Sequence, residues 1–175
     1  MTDEELARAH LVGDRTAFRE LVVRYQTRIV TLLYRYTRDQ GLAEDLGQDA
    51  FLKFYRALPR LSLEQPLKPY LFQIAVNGAR DWARRARSNE IALDDSEKWA
   101  DDGSETLDER LSLEEAVMRL PLIYREVVTM HYQMGLEYSD IGRVLVVSEE
   151  TVRTRLRRAL ERLRAILRED MTDGR

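Results

Sequence analysis

The sequence predicts an all-α protein made of two small helical domains joined by an acidic flexible linker. Three observations carry that expectation. With 8 Gly and 4 Pro in 175 residues, the chain is poor in turn-forming residues. Apolar residues recur at helical spacing through most of it, and no segment alternates convincingly as a strand. Between the periodic stretches, residues 88–107 lose the pattern and turn acidic, with Asp94-Asp95 and Asp101-Asp102-Gly103-Ser104 reading as a solvated linker.

The elements follow in chain order. Residues 3–13 read as a short helix ending at Gly13. From Phe18 the apolar positions Leu21, Val22, Tyr25, Ile29, Leu32, Leu33 and Tyr36 mark a second helix, broken at Asp39-Gln40-Gly41. A third spans about 42–58, with Leu42, Leu46, Ala50, Phe54 and Leu58 facing inward. Gly47 within it costs about 1 kcal/mol against Ala, and Pro59 ends it. The next helix opens at Leu67–Pro69, where Pro is tolerated in the first turn, and runs to about Arg87 with Leu71, Ile74, Ala75, Gly78 and Trp82 inward. Further helices are expected near 108–119, 122–134, 138–145 and 149–168. The domains are therefore 1–87 and 108–175, with 88–107 between them.

Composition narrows the function. Apolar content of 44% with 34% charged residues suits amphipathic helices. The chain has no cysteine, and its two His stand alone, so a disulfide framework and a Cys/His metal site are excluded. No cofactor is expected, and no residue set offers a nucleophile with its base. No apolar run approaches the roughly 18 residues of a membrane span, and no signal peptide is visible, so a cytoplasmic location is expected. Arg outnumbers Lys 25 to 3, a bias that codon usage explains. The net charge of −3 looks wrong for a nucleic-acid binder, but its distribution matters more. Residues 151–168 carry seven Arg against one Glu, a net of +6, and 80–87 carry +3. Residues 88–109 carry nine acids against one Lys, a net of −8.

Three surfaces emerge. At 138–158 a short helix, a tight turn and an Arg-rich second helix follow one another, with Ser148 as N-cap. That is the grammar of a DNA-binding helix-turn-helix. Val152, Leu156, Ala159, Leu160, Leu163 and Leu167 form the inward stripe of the second helix. Thr151, Arg153, Thr154, Arg157 and Arg158 lie near its start, where a recognition helix reaches base edges. A basic amphipathic helix that binds protein or a membrane surface is the alternative. On the helix of 67–87, Tyr70, Gln73, Asn77, Arg80 and Arg84 share a polar face, with an aromatic to stack, amides to read base edges and Arg for phosphate. A merely solvated face has the same look. On the helix of 42–58, Asp45, Gln48, Asp49, Leu52, Lys53 and Arg56 face outward, which alone means little.

Taken together, the motifs resemble the extracytoplasmic-function (ECF) sigma factors, over nearly all of residues 4–167. Ala17-Phe18-Arg19-Glu20-Leu21-Val22-Val23-Arg24-Tyr25-Gln26 looks like the opening helix of sigma region two. Ala43-Glu44-Asp45-Leu46-Gly47-Gln48-Asp49-Ala50-Phe51-Leu52-Lys53-Phe54-Tyr55-Arg56-Ala57-Leu58 resembles the family's segment that binds core RNA polymerase. Pro69-Tyr70-Leu71-Phe72-Gln73-Ile74-Ala75-Val76-Asn77 resembles the segment that reads the melted −10 element, and the helix-turn-helix resembles region four, which reads the −35 element. Arg125, following Leu120-Pro121, matches a phosphate-binding Arg of the family. The chain departs from the pattern at Tyr70, where Trp is usual, at Val146, where the turn usually has Gly, and at Gly47, where a bulkier residue is usual. The loop of 60–66 also lacks the family's frequent Phe-Arg-Gly. The resemblance implies core RNA polymerase, promoter DNA and an anti-sigma factor as partners, no membrane insertion, and a monomer when free. Two rivals share parts of the sequence: a dimeric response-regulator-type DNA-binding protein, and a helical adaptor that binds protein alone.

Overall fold

The computed structural model describes residues 1–91 and 112–173, all of whose regular structure is helical, with no strand among them. Most of the expected linker and residues 108–111 lie outside the described residues.

Helix α1 (Asp3–Leu11) starts from a capping box: the Glu5 amide donates to Thr2 Oγ1 at 3.1 Å and the Thr2 amide to Glu5 Oε2 at 2.7 Å. Gly13, at φ +110°, turns the chain into α2 (Arg15–Thr37), which Asp14 caps. Helix α2 ends at Arg38 in the left-handed region, and Asp39 then caps α3 (Gln40–Ala57) by accepting from the Leu42 amide at 2.9 Å. Pro59 sits in a single 3-10 turn, and α4 spans Leu67–Ile91. Helix α4 thus runs four residues past the Arg87 end read from the sequence.

The C-terminal half starts at α5 (Leu113–Arg119), again on a capping box, between Ser112 and Glu115. The single helix expected over 122–134 is instead α6 (Leu122–Val128) followed by a π turn over Thr129–Gln133, closed at Gly135 with φ +62°. Wider turns of this kind re-aim the chain without breaking it. Helix α7 (Tyr138–Leu145) has the expected limits, and α8 (Glu149–Asp173) runs five residues longer than expected.

Two inward stripes differ from the periodicity reading. In α3 the buried set is Ala43, Gly47, Ala50, Phe51 and Phe54, with Leu42 and Leu46 only half-buried. A Cβ on Gly47 would meet Val30 Cγ2 at 3.3 Å, so the glycine lets α3 lie close to α2. In α4, Leu71 and Ala75 are buried as expected, but so are Phe72, Val76 and Ala79, while Ile74, Gly78 and Trp82 are half-buried. The arc rotates because α4 packs against α2 and α3 on one side and against α7 on another.

That last contact joins the two halves, whose buried apolar residues form one cluster. Polar contacts surround it. Glu126 accepts from the Tyr36 hydroxyl at 2.6 Å and pairs with Arg80 at 3.5 Å. Arg125 Nη1 donates to the Arg35 carbonyl at 2.7 Å, and the buried Arg35 reaches Gln133 at 3.3 Å and Glu114 at 3.2 Å. Arg38, Lys68 and Gln73 each donate to a carbonyl of the C-terminal half, at Met118, Gly135 and Arg143. No helix among the described residues is long and apolar enough to cross a membrane.

Candidate nucleic-acid and polymerase interface

The helix-turn-helix is built by local sequence. Helix α7 ends at Val146, which adopts φ 58°, ψ 49° and stands 75% exposed. A β-branched residue rarely accepts that conformation. The turn is held nonetheless, by the Val147 amide donating to the Gly142 carbonyl at 3.0 Å. Gly142 is required for it, because a Cβ there would lie 2.9 Å from the Val147 carbonyl oxygen. Ser148 then opens α8, its Oγ accepting from the Thr151 amide at 3.1 Å and lying 2.8 Å from Thr151 Oγ1.

The start of α8 displays its cations. Val152, Leu156, Ala159 and Leu163 are buried, and Leu160 and Leu167 half-buried, which turns Arg153, Arg157 and Arg158 outward with Thr154 half-buried beside them. Arg153 is steered twice: it pairs with Glu149 at 2.7 Å, and its guanidinium lies 5.0 Å above the Tyr138 ring. The Glu149 hydrogen bond raises its already high pKa, so it stays charged. Thr151, Thr154 and Arg158 line a shallow cleft of about 260 Å³ with Ile123 and Tyr124. An exposed cationic edge next to such a cleft suits a polyanion.

Arg125 does not join this edge. The resemblance implied a phosphate contact for it, but here it is buried, 6% exposed, and donates to the carbonyls of Arg35, Met118 and Leu120 at 2.7, 2.7 and 2.9 Å. Burial, followed by the nearby Arg38 and Arg35, pushes its guanidinium down to about 10. In this conformation it holds the two halves together.

The polar face of α4 is divided. Asn77 and Arg84 are exposed, Arg84 paired with Asp81 at 2.8 Å. Tyr70 is half-buried with its ring 6.3 Å from that of Phe54. Gln73 donates to the Arg143 carbonyl of α7, and Arg80 leans on Glu126. The expectation that all five lie free of packing therefore holds only for the outer part of the face; α6 and α7 approach the rest. On α3, all six outward residues, Asp45, Gln48, Asp49, Leu52, Lys53 and Arg56, are exposed. Beside them a groove of about 580 Å³ runs between α2 and α3, lined by Val22, Val30, Tyr34, Gly47, Gln48 and Phe51.

The sequence reading missed Glu126 and Arg35, and read Tyr36 only as an apolar position of its helix. A faint signal existed for Arg35, a charge between the apolar positions Leu33 and Tyr36. Nothing local marked Glu126. Burial, the largest influence, raises its carboxyl pKa despite the Tyr36 hydroxyl and the Arg80 and Arg155 guanidinium groups.

Comparison with known proteins finds two family matches on this chain. Residues 21–89 match the Sigma-70 region 2 family, and residues 110–163 match Sigma-70, region 4. The RNA polymerase sigma-H factor of Pseudomonas aeruginosa is 32% identical over 176 residues, covering 91% of this chain and 90% of that protein. The ECF RNA polymerase sigma factor SigM of Mycobacterium tuberculosis is 33% identical, covering 95% of this chain and 85% of its own length. The chain belongs to the ECF sigma-factor family. Among solved structures, CnrH in complex with the cytosolic domain of CnrY superposes with a TM-score of 0.72 at 25% identity, covering 96% of this chain and 98% of CnrH. As a sigma factor, this protein has most of α2, all of α3 and most of α4 in the region 2 match, and α7 with the first part of α8 in the region 4 match.

Proposed function

We propose that this protein binds core RNA polymerase as a monomer, carries it to promoters and helps open them. In this reading residues 1–87 form the region that docks on polymerase and binds the −10 element, and 108–175 the region that binds the −35 element, with 88–107 as tether. The observation that carries it is the exposed Arg153, Arg157 and Arg158 edge at the start of α8, on a helix-turn-helix in the same chain as a region 2 match.

Each surface has a role. Asp45, Gln48, Asp49, Leu52, Lys53 and Arg56 dock on polymerase. Arg153, Thr154, Arg157 and Arg158, with Thr151, read the −35 duplex, because bidentate Arg distinguishes guanine and Thr contacts base edges or phosphate. Arg125 adds a phosphate contact once the halves part. Asn77 reads a flipped base of the melted −10 strand, since a side-chain amide both donates and accepts, with Tyr70, Gln73, Arg80 and Arg84 around it. The reading assigns no catalytic residue and no enzymatic activity, and it places the protein in the cytoplasm with polymerase. The likeness to CnrH, solved with the cytosolic domain of CnrY bound, supports control by an anti-sigma factor.

Run-off transcription by core polymerase on a promoter library tests this directly. Adding the protein should produce transcripts from a subset of templates sharing two short elements. Core polymerase that gains no template selectivity from the folded protein would refute the reading.

A further inference from the structure

Helix α1 lies wholly before residue 21, where the region 2 match begins, and the functional reading gives its side chains no task. It is nonetheless firmly seated. Leu6 and Ala7 are buried, and Asp3 pairs with Arg24 of α2 at 2.7 Å and accepts from the Tyr25 hydroxyl. Glu4 and Arg8, four residues apart, share a different face of α1. Both reach the connection that leads into α4. Arg8 Nη2 donates to the Leu63 carbonyl at 3.1 Å, and Glu4 Oε1 accepts from the Leu67 amide at 3.2 Å.

The connection has little else to fix it. Its own turn is closed by the Gln65 amide donating to the Ser62 carbonyl at 3.4 Å, a long bond. Ser62, Glu64, Gln65 and Pro66 are exposed, and only Leu61 and Leu63 of this stretch pack against the core. Pro66, just before α4, has no side-chain oxygen with which to cap the helix. Glu4 supplies an acceptor from another helix, and a carboxylate there suits the positive end of α4. One bond thus fixes the turn and the other the first residue of α4.

The stretch so held adjoins the −10 face. Ser62, Gln65, Pro66, Tyr70 and Gln73 form one wall of a cavity of about 850 Å³. Tyr70 stands one turn after Leu67, and Asn77 two turns further on. A shift of the 61–66 stretch therefore reshapes the surface against which a strand read by Asn77 would lie.

We propose that Glu4 and Arg8 are positioning residues for −10 recognition: from α1 they clamp the 61–66 stretch beside Tyr70, and the fixed wall restricts which base is accepted there. This rests on the sigma-factor reading for the nature of the strand. Neither residue contacts DNA in this role; both act through the backbone they hold.

The test uses the full chain with Glu4→Ala, Glu4→Gln or Arg8→Met. Gln keeps an oxygen that accepts from the Leu67 amide, Ala does not, and Met keeps an apolar stem without a donor. Amide hydrogen exchange of the free protein, followed by NMR, reads the clamp alone. Exchange at Leu67 should quicken about three- to tenfold in Glu4→Ala and stay at the wild-type rate in Glu4→Gln. Holoenzyme binding to single-stranded −10 oligonucleotides, substituted one base at a time, reads the role. Glu4→Ala and Arg8→Met should each cut the base preference at one position about three- to tenfold. Affinity for core polymerase and preference at the other positions should match wild type, and Glu4→Gln should keep the full preference. A general loss of folded protein would lower every position together and would not be rescued by Gln at this site alone. Unchanged Leu67 exchange in Glu4→Ala would overturn the clamp. Faster exchange with wild-type base preference would overturn the positioning role and leave the sigma-factor reading intact. A wild-type holoenzyme without any base preference would remove that reading, and the positioning role with it.

Discussion

Val146 shows how a single residue can be out of keeping with its backbone. Its left-handed conformation costs an L-residue about 1–2 kcal/mol, and it gains no burial in return. Glycine there would remove that cost while losing about 0.4–1 kcal/mol to the entropy of the unfolded chain. Val146→Gly should therefore stabilise the protein by about 0.5–1 kcal/mol in urea unfolding. Gly142→Ala, whose Cβ would crowd the Val147 carbonyl at 2.9 Å, should destabilise it by about 1–3 kcal/mol. Asn77 is the opposite case, exposed and free to act. Asn77→Ala should leave stability nearly unchanged, since Ala is the better helix former, and should shrink the base preference on a single-stranded −10 oligonucleotide bound to holoenzyme. Wild-type selectivity in that variant would remove Asn77 from the site.

At the scale of the element, α3 and α8 each present an exposed polar edge opposite a buried stripe. Reversing two charges on α3, Asp49→Lys with Lys53→Glu, leaves the buried Ala50, Phe51 and Phe54 untouched. The folded double variant should lose core polymerase in a pull-down; full retention would place the docking surface elsewhere. On α8, Arg157→Ala or Arg158→Ala should each cost about 1–3 kcal/mol of −35 binding and relax specificity at one position. Helix α6 supplies a pH effect. Burial holds the Glu126 carboxyl above its ordinary 4.5. Protonation therefore favours the folded form: the contribution is fully present below 4.5 and is lost as pH rises through the raised value. Glu126→Gln stays neutral and can still accept from Tyr36. Its urea midpoint relative to wild type should rise as pH increases from acid to neutral and then level off. A constant difference across that range would show that Glu126 is not the titrating group.

For the whole molecule, the sorting of charge governs behaviour more than the net −3 does. The cationic start of α8 should give duplex binding that falls steeply with salt. Arg125→Ala should weaken binding to all sequences alike and flatten the salt slope; an unchanged slope in the folded variant would mark a purely structural arginine.

The helices, the Ser148 cap and the outward set of α8 were legible in the amino-acid order, because each depends on residues three or four apart along one turn. The capping boxes of Thr2 with Glu5 and Ser112 with Glu115 rest on the same spacing but were not read from it, and the second starts α5 later than the expected 108. The six exposed residues of α3 were legible for the same reason, although its buried stripe shifted once Gly47 let α2 come close. Periodicity alone did not reveal the π turn that ends α6, nor the rotation of the buried arc of α4 towards α7. The fates of Gln73, Arg125 and Glu126 belonged to tertiary structure alone. Their partners stand 70, 90 and 90 residues away, at Arg143, Arg35 and Tyr36. A helix wheel places a side chain on a face; it carries no information about what packs there, and desolvation by a distant element is what turned a phosphate-binding candidate into a buried bridge.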